Sequence, residues 1–390
     1  MSKINSGLIT ISSILILLMF LSFFKVVDFS LFIILGDIFL LSSLIFILLV
    51  FLVQIDKFSK INKDVFYIIL PLLSIAIIYF INIFFTISPL ISLQRSFLIF
   101  LISIAFVFFY KVGYLDKNQL VKRNLFWLLS LIVFSLILFY IMRPEFTSAK
   151  LFFLNPNAFG MYMSLLFISM MAVGPKKIRL IIFFIGLFFV FISSSRNSLL
   201  AYVGSYIFLS YGHIFYKSKK IYFSIILSLI LLSIGIIYFM VYIDLSQYNE
   251  LVRDYSNKNL MSGRNEVWPF VLDLIKEKPY LGWGGGITLA DVSFFNFSSH
   301  NMYLHTALQV GILGVLLIYL FYFNLWKSLW ALKENNNEIH KVNALFVWLI
   351  WIQNFEVTLL QNNLAMSVPV ICLIAYFMGV SKFKINESSF

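Results

Sequence analysis

The amino-acid sequence predicts an all-α polytopic membrane protein of about twelve transmembrane helices with one long loop on its outer side. Three observations predict it. Hydrophobic residues make up 61% of the 390 and charged residues only 12%, with a mean hydropathy of +0.96, and soluble domains carry about twice that charge. Apolar stretches long enough to cross a bilayer, roughly 17 to 25 residues, recur twelve times. Lysine is divided so unevenly between alternate connections that an orientation follows.

The stretches cover approximately residues 7–24, 29–53, 65–86, 96–112, 124–142, 158–174, 178–194, 197–216, 221–243, 301–326, 342–360 and 364–380. The first is expected to stay as a helix, because no small-residue cleavage site follows Phe24 and the next span begins almost at once. With the N-terminus inside, 17 of the 22 lysines fall on the cytoplasmic side, so both termini are expected there. The net charge of +12 is thereby assigned to membrane topology and lipid contact, and no nucleic-acid partner is expected. The single cysteine, Cys372, lies in an apolar run and can build neither a disulfide framework nor a metal site. The whole chain, 1–390, reads as one integral membrane domain.

Arginine inverts the lysine pattern. Arg95, Arg143, Arg196, Arg253 and Arg264 fall on the outer side, and only Arg123 and Arg179 inside. Arginine grips phosphate with a planar, permanently charged fork. For Arg95 and Arg143 an interfacial anchor that snorkels to the headgroups is an equal reading. Arg196 belongs to Ser194-Ser195-Arg196-Asn197, which joins two spans by almost nothing and fixes a full charge at the membrane boundary. A charge held there is a functional candidate by default.

Five of the six outer connections are short, and the sixth, residues 244–299, runs to 56. A loop of that length in a compact protein is usually functional. Within it, Ser262 can cap an amphipathic helix with Val267, Trp268, Val271, Leu272 and Ile275 on its apolar face and Arg264, Asp273, Lys276 and Glu277 on its polar one. It is expected to lie on the membrane surface. Pro269 should kink it or delay its start, and Pro279 with Gly282, Gly284, Gly285 and Gly286 should end it. The glycines could cradle phosphate, but a turn is the stronger reading.

Of the four histidines, His213 and His340 belong to cytoplasmic ends, while His300 and His305 open the tenth span on the outer side. A neutral histidine there can take a proton from a hydroxyl. The acids show no metal-ligand spacing, so no metal and no cofactor is expected. Asp37, within the second span, reads as one member of a salt bridge or hydrogen bond. Glu356, near the outer end of the eleventh, reads as an orienter of arginine.

Three strings in order resemble the bacterial O-antigen ligase and O-antigen polymerase superfamily. They are Ser194-Ser195-Arg196-Asn197-Ser198; Ser262-Gly263-Arg264 through Trp268 and on to Lys278-Pro279-Tyr280-Leu281-Gly282-Trp283-Gly284; and His300-Asn301 followed by Leu304 and Gly311-Ile312-Leu313-Gly314. Asn155-Pro156-Asn157 through Gly160 also looks like that family's outer loop. The resemblance implies a membrane glycosyltransferase of the GT-C-like kind in the bacterial inner membrane. It would act on the periplasmic face on an oligosaccharide linked to undecaprenyl pyrophosphate.

By resemblance, Arg196 and Arg264 are expected to hold the pyrophosphate, and His300 matches the catalytic histidine. Asn197, Asn301, Arg143, Arg253, His305 and Glu356 complete the candidate substrate-binding set. The sequence has His300-Asn301 in place of the ligases' His-x-His-Asn, which leaves the base open between His300 and His305. Membrane lipids, a flippase and a chain-length regulator, the polysaccharide co-polymerase, are the expected partners.

The polymerase reading is preferred because the non-catalytic loops are compact and the His-x-His-Asn form is absent. A ligase that moves finished glycan onto lipid A core is the alternative, and a lipid-linked oligosaccharide carrier or flippase the second. Carriers usually show two related halves or helices broken near the midplane, whereas here the charges cluster on one side.

Overall fold

Each apolar stretch folds as a helix, because in a bilayer only a helix satisfies every backbone N–H and C=O within its own segment. The computed structural model describes residues 2–27, 30–54, 62–142, 153, 155–243, 248, 263–292, 298–333, 336–359 and 364–388. In chain order the helices are α1 (Ser2–Leu21), α2 (Ser30–Val53), α3 (Lys63–Asn82), α4 (Pro89–Leu115), α5 (Leu120–Met142), α6 (Pro156–Val173), α7 (Arg179–Ile192), α8 (Arg196–Tyr211), α9 (Lys219–Tyr242), α10 (Arg264–Glu277), α11 (Leu289–Val292), α12 (Met302–Ala331), α13 (Asn336–Gln353) and α14 (Leu364–Ser388). Ten of these segments are long and apolar enough to span a membrane. The protein is an all-α, multi-pass membrane protein.

All twelve expected stretches correspond to helices, but α7 and α13 fall outside the ten. The 14 residues of α7 reach roughly 21 Å at the helical rise of 1.5 Å per residue. The first two turns of α13 carry Glu338 and Lys341, which pair at 2.6 Å. Asp37 is ion-paired with Lys25 at 2.6 Å, as its place inside an apolar helix requires.

Burial ranks the helices. α14 is enclosed on all sides and α6 nearly so, whereas α5 and α9 turn most of their surface outward. The α4–α14 contact is backbone to backbone: a side chain on Gly113 would strike the Tyr376 carbonyl, and one on Gly379 the Tyr110 carbonyl. Small residues allow this approach where no water remains to drive association. α8 rests on α6 and α13, and α10 packs on α9 and α12.

α12 is broken after its second turn, where Val310 and Gly311 leave helical geometry and Gly311 takes φ 72°, ψ −178°. A break in a span frees polar groups that must be satisfied by protein. Here the Leu308 carbonyl accepts from Trp283 N–H at 2.8 Å, the Gln309 carbonyl from Gly284 N–H at 2.9 Å, and Ile312 N–H donates to the Pro279 carbonyl at 2.8 Å. The Asn82 amide bridges the Leu281 and Gln309 carbonyls. The glycine-rich string is therefore a turn that closes the wound in α12, and a side chain at Gly282 would strike the Gln309 backbone.

Candidate active site

The α7–α8 connection is three residues long because serines replace the missing helical bonds. Ser193 Oγ donates to the Val190 carbonyl at 2.6 Å and accepts from Ser195 N–H at 3.2 Å. The hydroxyls of Ser195 and Ser198 meet at 2.9 Å. Ser194 turns the chain with φ 54°, a left-handed conformation uncommon for a residue with a side chain. Arg196 begins α8 and is exposed.

Arg264 begins α10 directly after Gly263, which supplies a φ of 77° at the N-cap position. The expected cap, Ser262, lies outside the described residues. The helix runs unbroken through Pro269 and buries Val267, Trp268, Val271, Leu274 and Ile275. Leu274 joins the buried face and the expected Leu272 is only partly buried against it, as packing on α9 and α12 requires. Arg264 itself leaves the polar face assigned to it and turns inward. Its Nη2 donates to the Phe355 carbonyl at 3.3 Å, and the guanidinium lies 5.3 Å from the Phe355 ring centroid. Burial holds its pKa below the usual arginine range, Glu356 opposes that shift, and Arg196 reinforces it. The three charges thus share one local field.

His300 stands just before α12 with φ 44°. Its N–H donates to the Ser298 hydroxyl at 3.3 Å, and the ring Nδ1 lies 3.2 Å from Glu356 Oε2. The histidine side chain is 49% exposed and that of Glu356 only 9%, so the carboxylate is fixed and the ring open on its other side. Asn301 caps α12 by accepting from Leu304 N–H at 2.9 Å, and its amide donates to the Asn354 carbonyl at 2.9 Å. It is fully buried and both ends are engaged, so it is a strut and not part of the cavity wall.

A cavity of about 430 Å³ joins these pieces, with Asn155, Asn157, Arg196, Asn197, Arg264 and Glu356 as its polar wall. Met161, Leu200, Met240 and Phe355 supply the apolar part. That size and mixture suit a small ligand or the head of a larger one. Both amide atoms of Asn197 are shielded from solvent without a partner. His300 reaches the cavity through Glu356.

The structure brings together Arg196, Asn197, Arg264, Glu356 and, in contact with the last, His300. His305 is elsewhere: it is buried inside α12 with Nε2 unpartnered. Arg143 and Arg253 lie outside the described residues. Glu356 meets His300 directly, a contact more intimate than the expected orientation of arginine. The sequence did not reveal Phe355, whose ring and carbonyl both hold Arg264, nor the indole of Trp268, which donates to the Ser299 carbonyl at 2.7 Å. The one signal available was that Trp268 and His300 fall within the strings that carry the resemblance. Among the described residues no cluster of three His, Cys, Asp or Glu side chains could hold a metal.

An arrangement of two guanidinium groups and a histidine–carboxylate pair can bind a multiply charged anion and accept a proton beside it. No curated protein matches the chain. Residues 181–319 match the family described as O-antigen ligase, and this segment supplies Arg196, Arg264 and His300. By that match, the part of the chain that carries the arginine pair and the histidine is similar to the O-antigen ligase family.

Proposed function

We propose that the protein is a polymerase of surface polysaccharide. It transfers a growing glycan from undecaprenyl pyrophosphate to the terminal sugar of a lipid-linked repeat unit, with the cavity on the periplasmic face of the inner membrane. One observation carries the reading: two arginines and Glu356, which holds the His300 ring, line one cavity whose wall also includes the apolar side chains of Met161, Leu200, Met240 and Phe355. A polyprenyl pyrophosphate has a charged head and an apolar tail, and the site offers a place for each.

Arg196 and Arg264 take the pyrophosphate and stabilise it as it departs, in place of a metal. With its Nδ1 proton donated to Glu356, His300 presents Nε2 as the acceptor for the proton of the attacking hydroxyl. The hydroxyl oxygen bonds to the anomeric carbon, the bond from that carbon to the pyrophosphate oxygen breaks, and the carboxylate stabilises the imidazolium that forms. One such displacement inverts the anomeric centre. The tail runs down α8, where Leu200, Ile207 and Tyr211 are exposed and Gly204 faces open space. With Arg196 at the head, these positions recur at helical spacing and form one face.

The test uses purified protein in liposomes with its undecaprenyl pyrophosphate-linked repeat unit, with and without lipid A core, beside a His300→Ala control. A ladder of products without lipid A core is the expected result. Product only with lipid A core makes the protein a ligase. No product in either, with His300→Ala still functional in cells, makes it a carrier.

A further inference from the structure

The bond from Trp268 to Ser299 takes no part in the chemistry above, yet it links the two halves of the site. Trp268 is fully buried on α10 and follows Arg264 by four residues, so both occupy one helical face. The Ser299 carbonyl that it holds at 2.7 Å belongs to the peptide that leads into His300. That residue has φ 44°, a conformation that persists for a residue with a side chain only when its surroundings hold it. On the far side, Asn301 ties the same segment to the Asn354 carbonyl, two residues before Glu356. The histidine is therefore suspended between a tie to the arginine helix and a tie to the carboxylate segment.

We propose that Trp268 is a positioning residue that couples occupation of Arg264 by pyrophosphate to the placement of the His300 ring. The inference rests on the function proposed above and assigns that site a device. α10 is short and packed through Val267, Val271 and Leu274, so a pull on the guanidinium at its first residue is carried to the indole one turn along. From the indole it passes through a single hydrogen bond to the peptide before His300. The base is then set by the arrival of the donor's head group. A histidine set in this way stands ready for the acceptor hydroxyl only while a leaving group is in place.

The decisive variant replaces Trp268 with β-(3-benzothienyl)alanine, which keeps the shape of the side chain and lacks the N–H. Trp268→Phe serves if that protein does not accumulate. In the liposome assay, kcat is expected to fall about 5- to 20-fold, the loss of one buried hydrogen bond, with KM for the donor unchanged. A second readout needs no glycan: the rate at which diethyl pyrocarbonate modifies His300, resolved by peptide mass spectrometry, with and without inorganic pyrophosphate. Pyrophosphate is expected to change that rate in the native protein and to leave it unchanged in the variant.

An unchanged kcat, a pyrophosphate response that survives in the variant, or a native protein whose His300 ignores pyrophosphate each overturns the proposal. The two readings fail separately. A response of His300 to pyrophosphate without any glycan product sinks the polymerase and leaves the coupling, and product formed equally by both proteins does the reverse.

Discussion

The Nδ1 atom of His300 lies 3.2 Å from Oε2 of Glu356, a residue 56 positions further along the chain. A carboxylate on one ring nitrogen fixes the tautomer and leaves the other nitrogen to take a proton. Replacing Glu356 with Gln keeps the shape and removes the charge that stabilises the imidazolium. The expected loss in kcat is about 10- to 100-fold, the usual cost of an orienting partner, with KM for the donor little changed. His300→Ala should cost about 10²- to 10⁴-fold. Because the pair acts as a unit, the double variant should match His300→Ala alone, and losses that multiply in product-formation assays refute the pairing.

This pairing marks where legibility in the sequence ended. The spans could be read because apolar runs of bilayer length have one physical solution, and the short α7–α8 connection followed from the position of Arg196 between two of them. The partner of Asp37 could be anticipated as a class, since a charge within a span must be matched. The contact between His300 and Glu356 could not, because it depends on how α12 and the end of α13 meet. Nor could the break in α12: its apolar pattern continues through Gly311, and only the folded turn at Pro279–Gly284 shows which carbonyls are taken up. The sequence favoured His300 by resemblance and left His305 open as the alternative base, whereas folding sets His300 beside a carboxylate and buries His305 within α12.

Arg264 is held by Phe355 from two directions, by carbonyl and by ring. A lysine at this position keeps the charge but loses the planar fork and most of the ring contact. Arg264→Lys is expected to lower kcat/KM about 10- to 100-fold, the equivalent of one charge-assisted hydrogen bond. It should also weaken inhibition by inorganic pyrophosphate to a similar degree. Inhibition that stays at the native level would place the pyrophosphate away from Arg264.

Gly311 holds φ 72°, ψ −178°, a region that residues with side chains essentially do not enter. A Cβ there would also run into the Tyr280 backbone. Gly311→Ala is expected to destabilise the protein by about 2–4 kcal/mol, from backbone strain together with displacement of the Pro279–Gly284 turn. The check is the thermal unfolding midpoint in detergent. An unchanged midpoint would mean that α12 closes into a regular helix without loss, and that the turn is not required to complete it.

Gly204 lies two turns below Arg196 on the exposed face of α8, where an added side chain meets nothing within 4 Å. Substitution there should therefore cost little stability, and Trp is a better helix former than Gly. If the prenyl chain of the donor runs along this face, a bulky Gly204→Trp will obstruct it below the head group without touching the arginines. Long-chain donors should then show a raised KM, whereas donors with a tail too short to reach Gly204 should behave as they do with the native protein. Comparing undecaprenyl and dimethylallyl pyrophosphate-linked repeat units in one assay separates tail from head, since eight residues of helix place Gly204 about 12 Å below Arg196. An equal effect on both would mean that the substitution acts on the cavity itself, and no effect on either would take the tail off α8.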